Sequence, residues 1–433
     1  MSVLRIATLA VLLALGALGA CSDGTRSQPE AEQVIRMWVA PNQAEERFWT
    51  IAVERWNKKG QGPRVKFTTI PATGGSEEAI LTALVSGSGP DISSNIFPGF
   101  AAQLANLGQL QDVSAMPGFE QIVEKRKLAD ILRDSKIAGH TYLMPLYHSP
   151  MLIWWRADIL KGLGFKEAPQ TFEEVYKLSR LRAERGEGMG MQVLTGREWR
   201  SRWYDYVSYT FAGSDGAPYI QDRKAQYESP ASLEALEFIR TMFQNKWTAL
   251  SVEADDPLPT GVVVGAAHGA WDISYYQQNH PETLKKIIIG PMLRSQARLE
   301  AGAAKAHTFA DAKGMVLFKS SKMKAEALAF MAWVFGDEDL SLLWFKETGM
   351  PPARGDLMSN PRFADFYRQQ PLAARYAAYV EVGEAAPPIE ETIDIHKIMN
   401  VQLIDEMLFE QRPARQVAAR ATRLTNQLLE RSK

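Results

Sequence analysis

The sequence predicts an α/β protein built of two lobes with a cleft between them. Segments typical of buried strands alternate with segments of helical periodicity, which is the pattern of a mostly parallel sheet covered by helices. The 413 residues that remain after the first 20 of 433 are too many for one hydrophobic core and suit two lobes of about 150 to 200 residues. Lysine plus arginine (49) nearly balances aspartate plus glutamate (50), so no field would attract nucleic acid.

The first 20 residues are predicted to be a secretory signal. Arg5 precedes an apolar run from Ile6 to Leu15, which is too short to span a bilayer. The only cysteine, Cys21, ends the string LGAC, which resembles the lipobox of bacterial lipoproteins. That resemblance implies cleavage before Cys21 and lipidation of its thiol. The alternative is an ordinary signal followed by a free or buried cysteine. The small, polar residues 21–33 are predicted to be a tether.

The next segments predict alternating strands and helices from Val34 onward. Apolar runs predict strands at VIRMWV (34–39), VKFTTI (65–70) and PDISSNIF (90–97). Helical spacing predicts helices in QAEERFWTIAVERWNKKG, which stops at Gly60, and in EEAILTALVSG, which follows the glycine-rich turn ATGGS. Strand, helix and strand in this order indicate a parallel sheet.

A second unit is predicted to begin near Tyr142. MPLYHSPMLIWW (144–155) is an apolar run with bends at its prolines, and VVVGAAHGAW, IIIGPM and GMVLF are further strand candidates. Thr171 and Glu174 form a capping box at the start of one helix, and Ser229-Pro230 starts another. KAEALAFMAWVFGDEDLSLLWF is predicted to be helical, as is the tail from Glu390 with one break at Pro413.

Catalytic and metal-binding motifs are missing from the sequence. The six histidines have no metal-ligand spacing, and HExxH, CxxC, GxSxG and GxxxxGK[ST] are absent. Acidic doublets such as Asp255-Asp256 are more often solvated than catalytic. We therefore expect a protein that is not an enzyme and that has no cofactor and no metal site.

Aromatic residues are abundant and cluster near polar ones. Eleven tryptophans contribute to clusters at Trp154-Trp155, at Trp199/Trp203/Tyr204/Tyr206 and at Trp271/Tyr275/Tyr276. A sugar ring has an apolar face that stacks on an indole and a rim of hydroxyls that needs polar partners, such as Asp205, Arg200, Arg202 and Asp272. The alternative is that these aromatics fill the core. For the adjacent pair Trp154 and Trp155, we expect one side chain in the core and the other in the cleft.

From about residue 34 the chain resembles the maltose-binding-like, carbohydrate-specific solute-binding proteins of bacterial ABC importers. The four segments that carry the resemblance keep the family's order: GSGPDISSNIFPGFAAQLANLGQLQDVS, HTYLMPLYHSPMLIWWRADILKGLGFKEAPQTFEEVYKLSRLR, VVVGAAHGAWDISYY, and GMVLFKSSKMKAEALAFMAWVFGDEDLSLLWFKETGMPPAR. Two departures are Trp154-Trp155-Arg156 in place of the usual Tyr-Asn, and His268 in place of the usual Met. The resemblance implies the periplasmic-binding-protein fold, two lobes with a hinged interlobe cleft.

The resemblance also implies where ligand binds. Trp271 best matches the family's stacking tryptophan, and Arg354 matches a residue that reaches the cleft in some members. The full set of predicted ligand-binding residues is Asn42, Gln43, Gly74, Gly75, Asn95, Phe97, His148, Trp154, Trp203, Tyr204, Trp271, Asp272 and Arg354. Lys305 and Lys313 are expected to take no part in binding.

The lobes are predicted to exchange segments along the chain. The first lobe takes 34–147 and 293–349, and the second takes 148–292 and the helical 350–433. Strands or loops cross between them near 145–150, 290–310 and 346–353 and would act as hinges.

The resemblance implies a monomeric, lipid-anchored, extracytoplasmic receptor that takes a sugar, sugar alcohol or short oligosaccharide to the permease subunits. Two alternatives remain. One is a receptor for a phosphorylated polyol of the glycerophosphate type, in which Arg197, Arg200 and Arg202 hold the phosphate. The other is a secreted glycan-acting enzyme.

Overall fold

A computed structural model describes residues 33–71, 75–133, 136–193, 202–250, 256–302 and 304–431. From Val34 onward the chain forms one compact unit. The predicted signal, Cys21 and nearly all of the predicted tether lie outside the described residues, as do Gly74, Arg197 and Arg200. Among the described residues, no helix combines the length and the apolar character needed to cross a membrane.

The strands confirm the predicted α/β class. They are β1 (Val34–Val39), β2 (Arg64–Thr69), β3 (Ile92–Ile96), β4 (Leu110–Gln111), β5 (Met144–Pro150), β6 (Leu152–Arg156), β7 (Met189–Gln192), β8 (Ile220–Gln221), β9 (Lys224–Ala225), β10 (Val263–His268), β11 (Ile287–Gly290), β12 (Thr308–Phe318) and β13 (Gly383–Glu384). The three strands predicted at the start of the chain are present as β1, β2 and β3.

Helices follow most strands. They are α1 (Gln43–Lys59), α2 (Ser76–Val85), α3 (Pro98–Asn106), α4 (Phe119–Arg126), α5 (Ala129–Arg133), α6 (Ala157–Gly162), α7 (Phe172–Arg185), α8 (Trp203–Ser214), α9 (Pro230–Gln244), α10 (Pro257–Thr260), α11 (Asp272–Asn279), α12 (Pro281–Leu284), α13 (Gln296–Ala301), α14 (Lys324–Gly336), α15 (Glu338–Thr348), α16 (Ala364–Gln369), α17 (Pro371–Ala377), α18 (Thr392–Ile398), α19 (Glu406–Phe409) and α20 (Ala414–Arg431). A π-helical segment, Met399–Asp405, joins α18 to α19.

The predicted helix starts have the expected physical basis. Thr171 and Glu174 form a complete capping box at α7, in which each side chain binds the other residue's backbone N–H. The Ser229 side chain accepts from Ser232 N at the start of α9, where Pro230 occupies the first helical position. The break expected at Pro413 separates α19 from α20.

Two sheets organise the described residues. The first has seven strands in the order β13-β12-β3-β1-β2, with β4 and β5 also paired to β12. Strands β1, β2 and β3 are parallel, whereas β12 runs antiparallel to β3 and β5. The second sheet has the order β11-β6-β10-β7. We call each sheet with the helices packed on it the first lobe and the second lobe, respectively.

The lobes are joined by three passages of the chain. Strand β5 belongs to the first sheet and β6 to the second, so the first passage is at Met151. The second lies between the end of β11 at Gly290 and the start of β12 at Thr308, and the third lies between Ala353 and α17. The first two positions lie next to or within the predicted crossings.

The third passage differs in detail from the predicted boundary at residue 350. Met350 and Ala353 pack in the core of the first lobe, and the His148 N–H donates to the Pro351 carbonyl alongside β5. Only the residues from about α17 onward pack against the second lobe, where α18 and α20 contribute to its larger core. The chain therefore remains part of the first lobe for roughly twenty residues beyond residue 350, where the sequence predicted the boundary.

Candidate ligand-binding site between the lobes

Three helices of the first lobe begin at one edge of its sheet. α1, α2 and α3 follow the carboxyl ends of the parallel strands β1, β2 and β3, and these ends meet at one edge. Ligands bind at this edge in open α/β sheets because loops and helix N-termini converge there. Glu45 and Glu77 lie in the first turns of α1 and α2, and Asn95 lies near the end of β3.

Polar side chains from both lobes meet near this edge. We call them the polar cluster, which comprises Glu45, Glu77, Asn95, Tyr147, Tyr204, Asp311 and Lys313. Lys313 Nζ donates to Asn95 Oδ1 over 2.9 Å, and the Tyr147 hydroxyl donates to Asp311 Oδ2 over 2.9 Å. In the ladder between β5 and β12, Asp311 lies opposite Ser149 and Lys313 lies opposite Tyr147. These side chains therefore share one face of the sheet.

The carboxyl of Glu45 has a raised pKa. Its residue is only 4% exposed, and no described residue forms a hydrogen bond with its carboxylate. Burial raises the pKa of Glu45 to about 7; the positive charge of Lys313 opposes the rise and the charge of Asp311 adds to it. A carboxyl in this state can exist in its neutral, protonated form near pH 7.

The second lobe contributes Tyr204 to the polar cluster. Its ring stacks on Trp203 at a centroid separation of 4.2 Å and meets the edge of Phe309 at 5.0 Å, which holds the start of α8 against β12. Burial is the main cause that raises the pKa of the Tyr204 phenol, and the charges of Asp311 and Glu77 raise it further. A second-lobe phenol therefore interacts electrostatically with first-lobe carboxylates.

Trp271 is the predicted residue that most clearly belongs between the lobes. It lies just before α11, is partly buried and packs against the cores of both lobes. The neighbouring Asp272 carboxylate lies beside the His268 ring, with 2.8 Å between Asp272 Oδ2 and His268 Nδ1. Gly269 is required beside it, because a Cβ there would lie 2.2 Å from the Trp271 ring. Trp271 is thus the aromatic surface best placed to contact a molecule held between the lobes.

Other predicted residues line the same edge through local structural roles. Asn42 caps α1 by accepting from Ala44 N, Gln43 is exposed, and Gly75 precedes α2. Phe97 precedes α3 and stacks on Phe100 at 6.3 Å. His148 is buried on β5 with its Nε2 2.9 Å from the Gly383 carbonyl oxygen, and burial lowers its pKa. None of these five has its side chain bonded within the polar cluster, whereas Asn95 accepts from Lys313 there.

Three predicted residues have their side chains engaged elsewhere. Arg354 is 1% exposed, and its guanidinium pairs with Asp356 at 2.7 Å, in the first lobe and away from the polar cluster. Trp203 stacks on His396 at 3.6 Å and is 5% exposed. Trp154 is fully buried, and its Nε1 donates to the Tyr376 hydroxyl over 2.7 Å.

The expectation that one of Trp154 and Trp155 faces the cleft requires correction, since both side chains are 0% exposed. They point to opposite sides of β6, as the alternation requires, and they enter two different cores. β6 lies inside the second sheet between β11 and β10, and each face of β6 packs against a hydrophobic core.

The sequence analysis missed Glu45, Glu77, Tyr147, Asp311 and Lys313. Glu45 and Glu77 resemble ordinary acidic residues in the first turn of a helix, where they favour the helix dipole. Asp311 and Lys313 carried a usable signal, because charged residues at alternate positions of the apolar run TFADAKGMVLF indicate one polar face of a strand. Lys313 donates to Asn95, and the expectation that it takes no part in ligand binding stays a prediction.

The fold and the site define an α/β binding protein with a candidate ligand site between two lobes. The chain belongs to the bacterial extracellular solute-binding protein family, whose sequence profile matches residues 40–340.

Solved structures agree on the two-lobed fold. An uncharacterized protein of Listeria monocytogenes is 25% identical, with a TM-score of 0.81 over 92% of this chain and 99% of that chain. The GacH receptor of Streptomyces glaucescens, solved unliganded and with acarbose, is 16% identical, with a TM-score of 0.74 over 92% and 98%. The cyclic alpha-maltosyl-1,6-maltose binding protein of Arthrobacter globiformis is 14% identical, with a TM-score of 0.77 over 92% and 99%.

Proposed function

We propose that this protein is the substrate-binding lipoprotein of an ABC importer and that it captures a sugar, sugar alcohol or short oligosaccharide between its lobes. The observation that carries the proposal is that Trp271 packs against the cores of both lobes, which places an aromatic side chain where the two lobes meet. Carboxylate, amide and phenol groups suit the hydroxyl rim of a sugar, and an indole suits its apolar face. Two proteins of the same fold, one solved with acarbose and one that binds cyclic alpha-maltosyl-1,6-maltose, add support.

The mechanism we propose is closure of the lobes on the ligand. A ligand that touches Glu45 on one lobe and Tyr204 on the other binds the closed arrangement better than the open one, and only this difference shifts the equilibrium. Binding in the micromolar range corresponds to about 8 kcal/mol, enough to close a gap of a few kcal/mol. The permease subunits would then distinguish loaded from empty receptor by its shape.

The anchor and location are part of the same proposal. Cleavage before Cys21 and acylation of its thiol would hold a monomeric receptor on the extracytoplasmic side of the membrane, with residues 21–33 as the tether. The LGAC string and the family's extracellular character support this assignment.

The two alternatives have less support. Arg202 pairs with Asp405, and its guanidinium lies 5.6 Å from the Phe409 ring, which leaves it poorly placed for a phosphate. The polar cluster also holds three carboxyl groups and one ammonium, which disfavours a dianion. An enzyme could use a carboxyl of raised pKa such as Glu45 as a general acid. The family is one of binding proteins, and incubation with oligosaccharides followed by chromatography tests for turnover.

The proposal is tested with a thermal-shift screen of sugars, polyols and glycerophosphates, followed by calorimetry of each hit. We expect a carbohydrate to bind in the micromolar range and to reduce the radius of gyration measured by small-angle scattering. Binding of glycerophosphates alone would replace the sugar assignment with the phosphorylated-polyol one. An identical radius of gyration with ligand demonstrably bound would rule out closure.

A further inference from the structure

The turn that carries Trp271 is closed by a side-chain bond between the residues on either side of it. His268 ends β10 and Asp272 begins α11, and 2.8 Å separates His268 Nδ1 from Asp272 Oδ2. A carboxylate can only accept, so the hydrogen of this bond is on Nδ1. The backbone of the turn is bonded as well, since the Asp272 N–H donates to the Gly269 carbonyl over 3.2 Å. We call the His268–Asp272 pair the turn staple.

The imidazole of the turn staple is itself held by the core of the second lobe. The His268 ring stacks on Trp154 at a centroid separation of 4.7 Å and an interplanar angle of 27°. Trp154 Nε1 donates to the Tyr376 hydroxyl, which in turn donates to the His268 carbonyl oxygen over 2.8 Å. Trp154 and Tyr376 are both 0% exposed. Buried groups therefore hold both the ring and the backbone of His268, so the ring is a firm anchor for the Asp272 carboxylate.

The indole of Trp271 lies against this turn and at the meeting point of the lobes. A Cβ on Gly269 would lie 2.2 Å from the Trp271 ring, which means that the indole lies directly over this glycine. The first lobe approaches the turn from Gly349, which follows α15, because a Cβ there would lie 2.7 Å from the Ala270 carbonyl oxygen. The turn is therefore bounded by the turn staple in the second lobe and by the end of α15 in the first.

We infer that His268 and Asp272 are positioning residues that fix the Trp271 indole before a sugar binds. Ordering a free side chain on binding weakens affinity by about two- to tenfold, and a ring that is fixed beforehand avoids this loss. The effect on affinity rests on the proposed function, whereas the fixed indole is a property of the ligand-free protein. In this arrangement Asp272 acts through Trp271.

Fluorine NMR of ligand-free protein labelled with 5-fluorotryptophan tests the position of the indole. The Trp271 resonance is the one missing from Trp271→Phe. Asp272→Ala should shift this resonance, because the turn staple is lost. Asp272→Asn removes the same charge from the first turn of α11 but keeps an oxygen that accepts from His268, so it should restore the wild-type position.

A second variant tests the other half of the turn staple. His268→Phe keeps a ring against Trp154 but has no nitrogen to donate, so it should shift the Trp271 resonance as Asp272→Ala does. The matched control is Asp112→Ala, which removes a bond of the same kind in the first lobe, where 2.8 Å separates Asp112 Oδ2 from His140 Nδ1. This control should leave the Trp271 resonance unchanged. Circular dichroism checks that each variant is folded.

Calorimetry with the tightest-binding sugar of the thermal-shift screen is the second readout. Asp272→Ala and His268→Phe should bind this sugar about two- to tenfold more weakly than the wild type. Asp272→Asn should recover most of the loss, because the turn staple is restored. Asp112→Ala should bind as the wild type does.

The outcomes separate this inference from the proposed function. An unchanged Trp271 resonance in Asp272→Ala and His268→Phe overturns the inference, and so does a shifted resonance with unchanged affinity. Equal shifts in Asp272→Asn and Asp272→Ala also overturn it, because charge and not the hydrogen bond would then hold the ring. Absence of binding by every sugar overturns the proposed function, whereas the fluorine spectra still decide whether the turn staple fixes Trp271.

Discussion

Replacing Glu45 by glutamine should stabilise the ligand-free protein, and the gain should depend on pH. Burial raises the pKa of Glu45 from 4.5 to about 7 in the folded protein. Below pH 4.5 the carboxyl is protonated whether the chain is folded or not. Between that pH and about 7, the unfolded chain releases the proton while the folded protein keeps it, so the folded state loses stability as pH rises.

The size of the effect follows from the two pKa values. One pKa unit corresponds to about 1.4 kcal/mol, so a difference of about 2.5 pKa units between the folded and unfolded protein corresponds to about 3 kcal/mol. Wild-type protein should lose this amount between pH 4.5 and about pH 7 and no more above that, whereas Glu45→Gln should lose none of it. The variant should therefore match the wild type at low pH and exceed its free energy of unfolding by up to about 3 kcal/mol at pH 8.

Urea unfolding of ligand-free wild-type and variant proteins at pH 4.5, 6 and 8 measures this difference. Glu46→Gln is the control. It removes a negative charge from the same first turn of α1, so it alters the favourable interaction with the helix dipole to the same extent as Glu45→Gln. Its stability should follow that of the wild type at every pH. Parallel pH profiles for wild type and Glu45→Gln would refute the raised pKa.

Three further predictions concern other parts of the molecule. Trp271→Ala should weaken sugar binding by about 2 kcal/mol or more in calorimetry, whereas Tyr275→Ala, at an exposed site nearby on α11, should not; unchanged affinity in the first would exclude Trp271 from the site. Gly99→Ala should lower the free energy of unfolding in urea by about 1–3 kcal/mol, because its Cβ would lie 2.5 Å from a side-chain carbon of α18. Gly162→Ala is the control, because its Cβ would have no neighbour within 4 Å, and it should not lower the free energy of unfolding. Equal stability of both variants would show that α3 and α18 do not pack this closely. Cys21→Ser should move the protein out of the salt-washed membrane fraction, and its retention there would contradict lipid anchoring.

Local patterns predicted the elements well because these patterns have local causes. β1 to β3 follow from short apolar runs bounded by turns, and the start of α7 follows from a capping box within four residues. The parallel arrangement follows from their alternation with helices. The sequence also predicts a crossing near 145–150, because Pro145 and Pro150 interrupt an apolar run just before Met151.

The candidate site was harder to predict because it is assembled from distant segments. Tyr147 and Asp311 form one hydrogen bond although 164 residues separate them, and Lys313 and Asn95 are separated by 218. Nothing near either residue in the sequence indicates its partner. Conversely, Trp154 resembled a site residue because it is aromatic and next to a polar segment, but its position inside the second sheet buries it. Residue type alone could not distinguish these cases.

The stability prediction and the ligand prediction both depend on Glu45, and this dependence has a physical reason. A buried carboxylate without a hydrogen-bond partner lowers the stability of the empty receptor, and a ligand whose hydroxyl group binds the carboxylate removes part of this penalty. The same substitution should therefore stabilise the empty protein and weaken its affinity for the sugar. A role of Glu45 confined to the core would give only the first effect, and a carboxylate in ordinary contact with water would give neither. Measuring both effects on one variant distinguishes a ligand-receiving group from a buried acid that has no function.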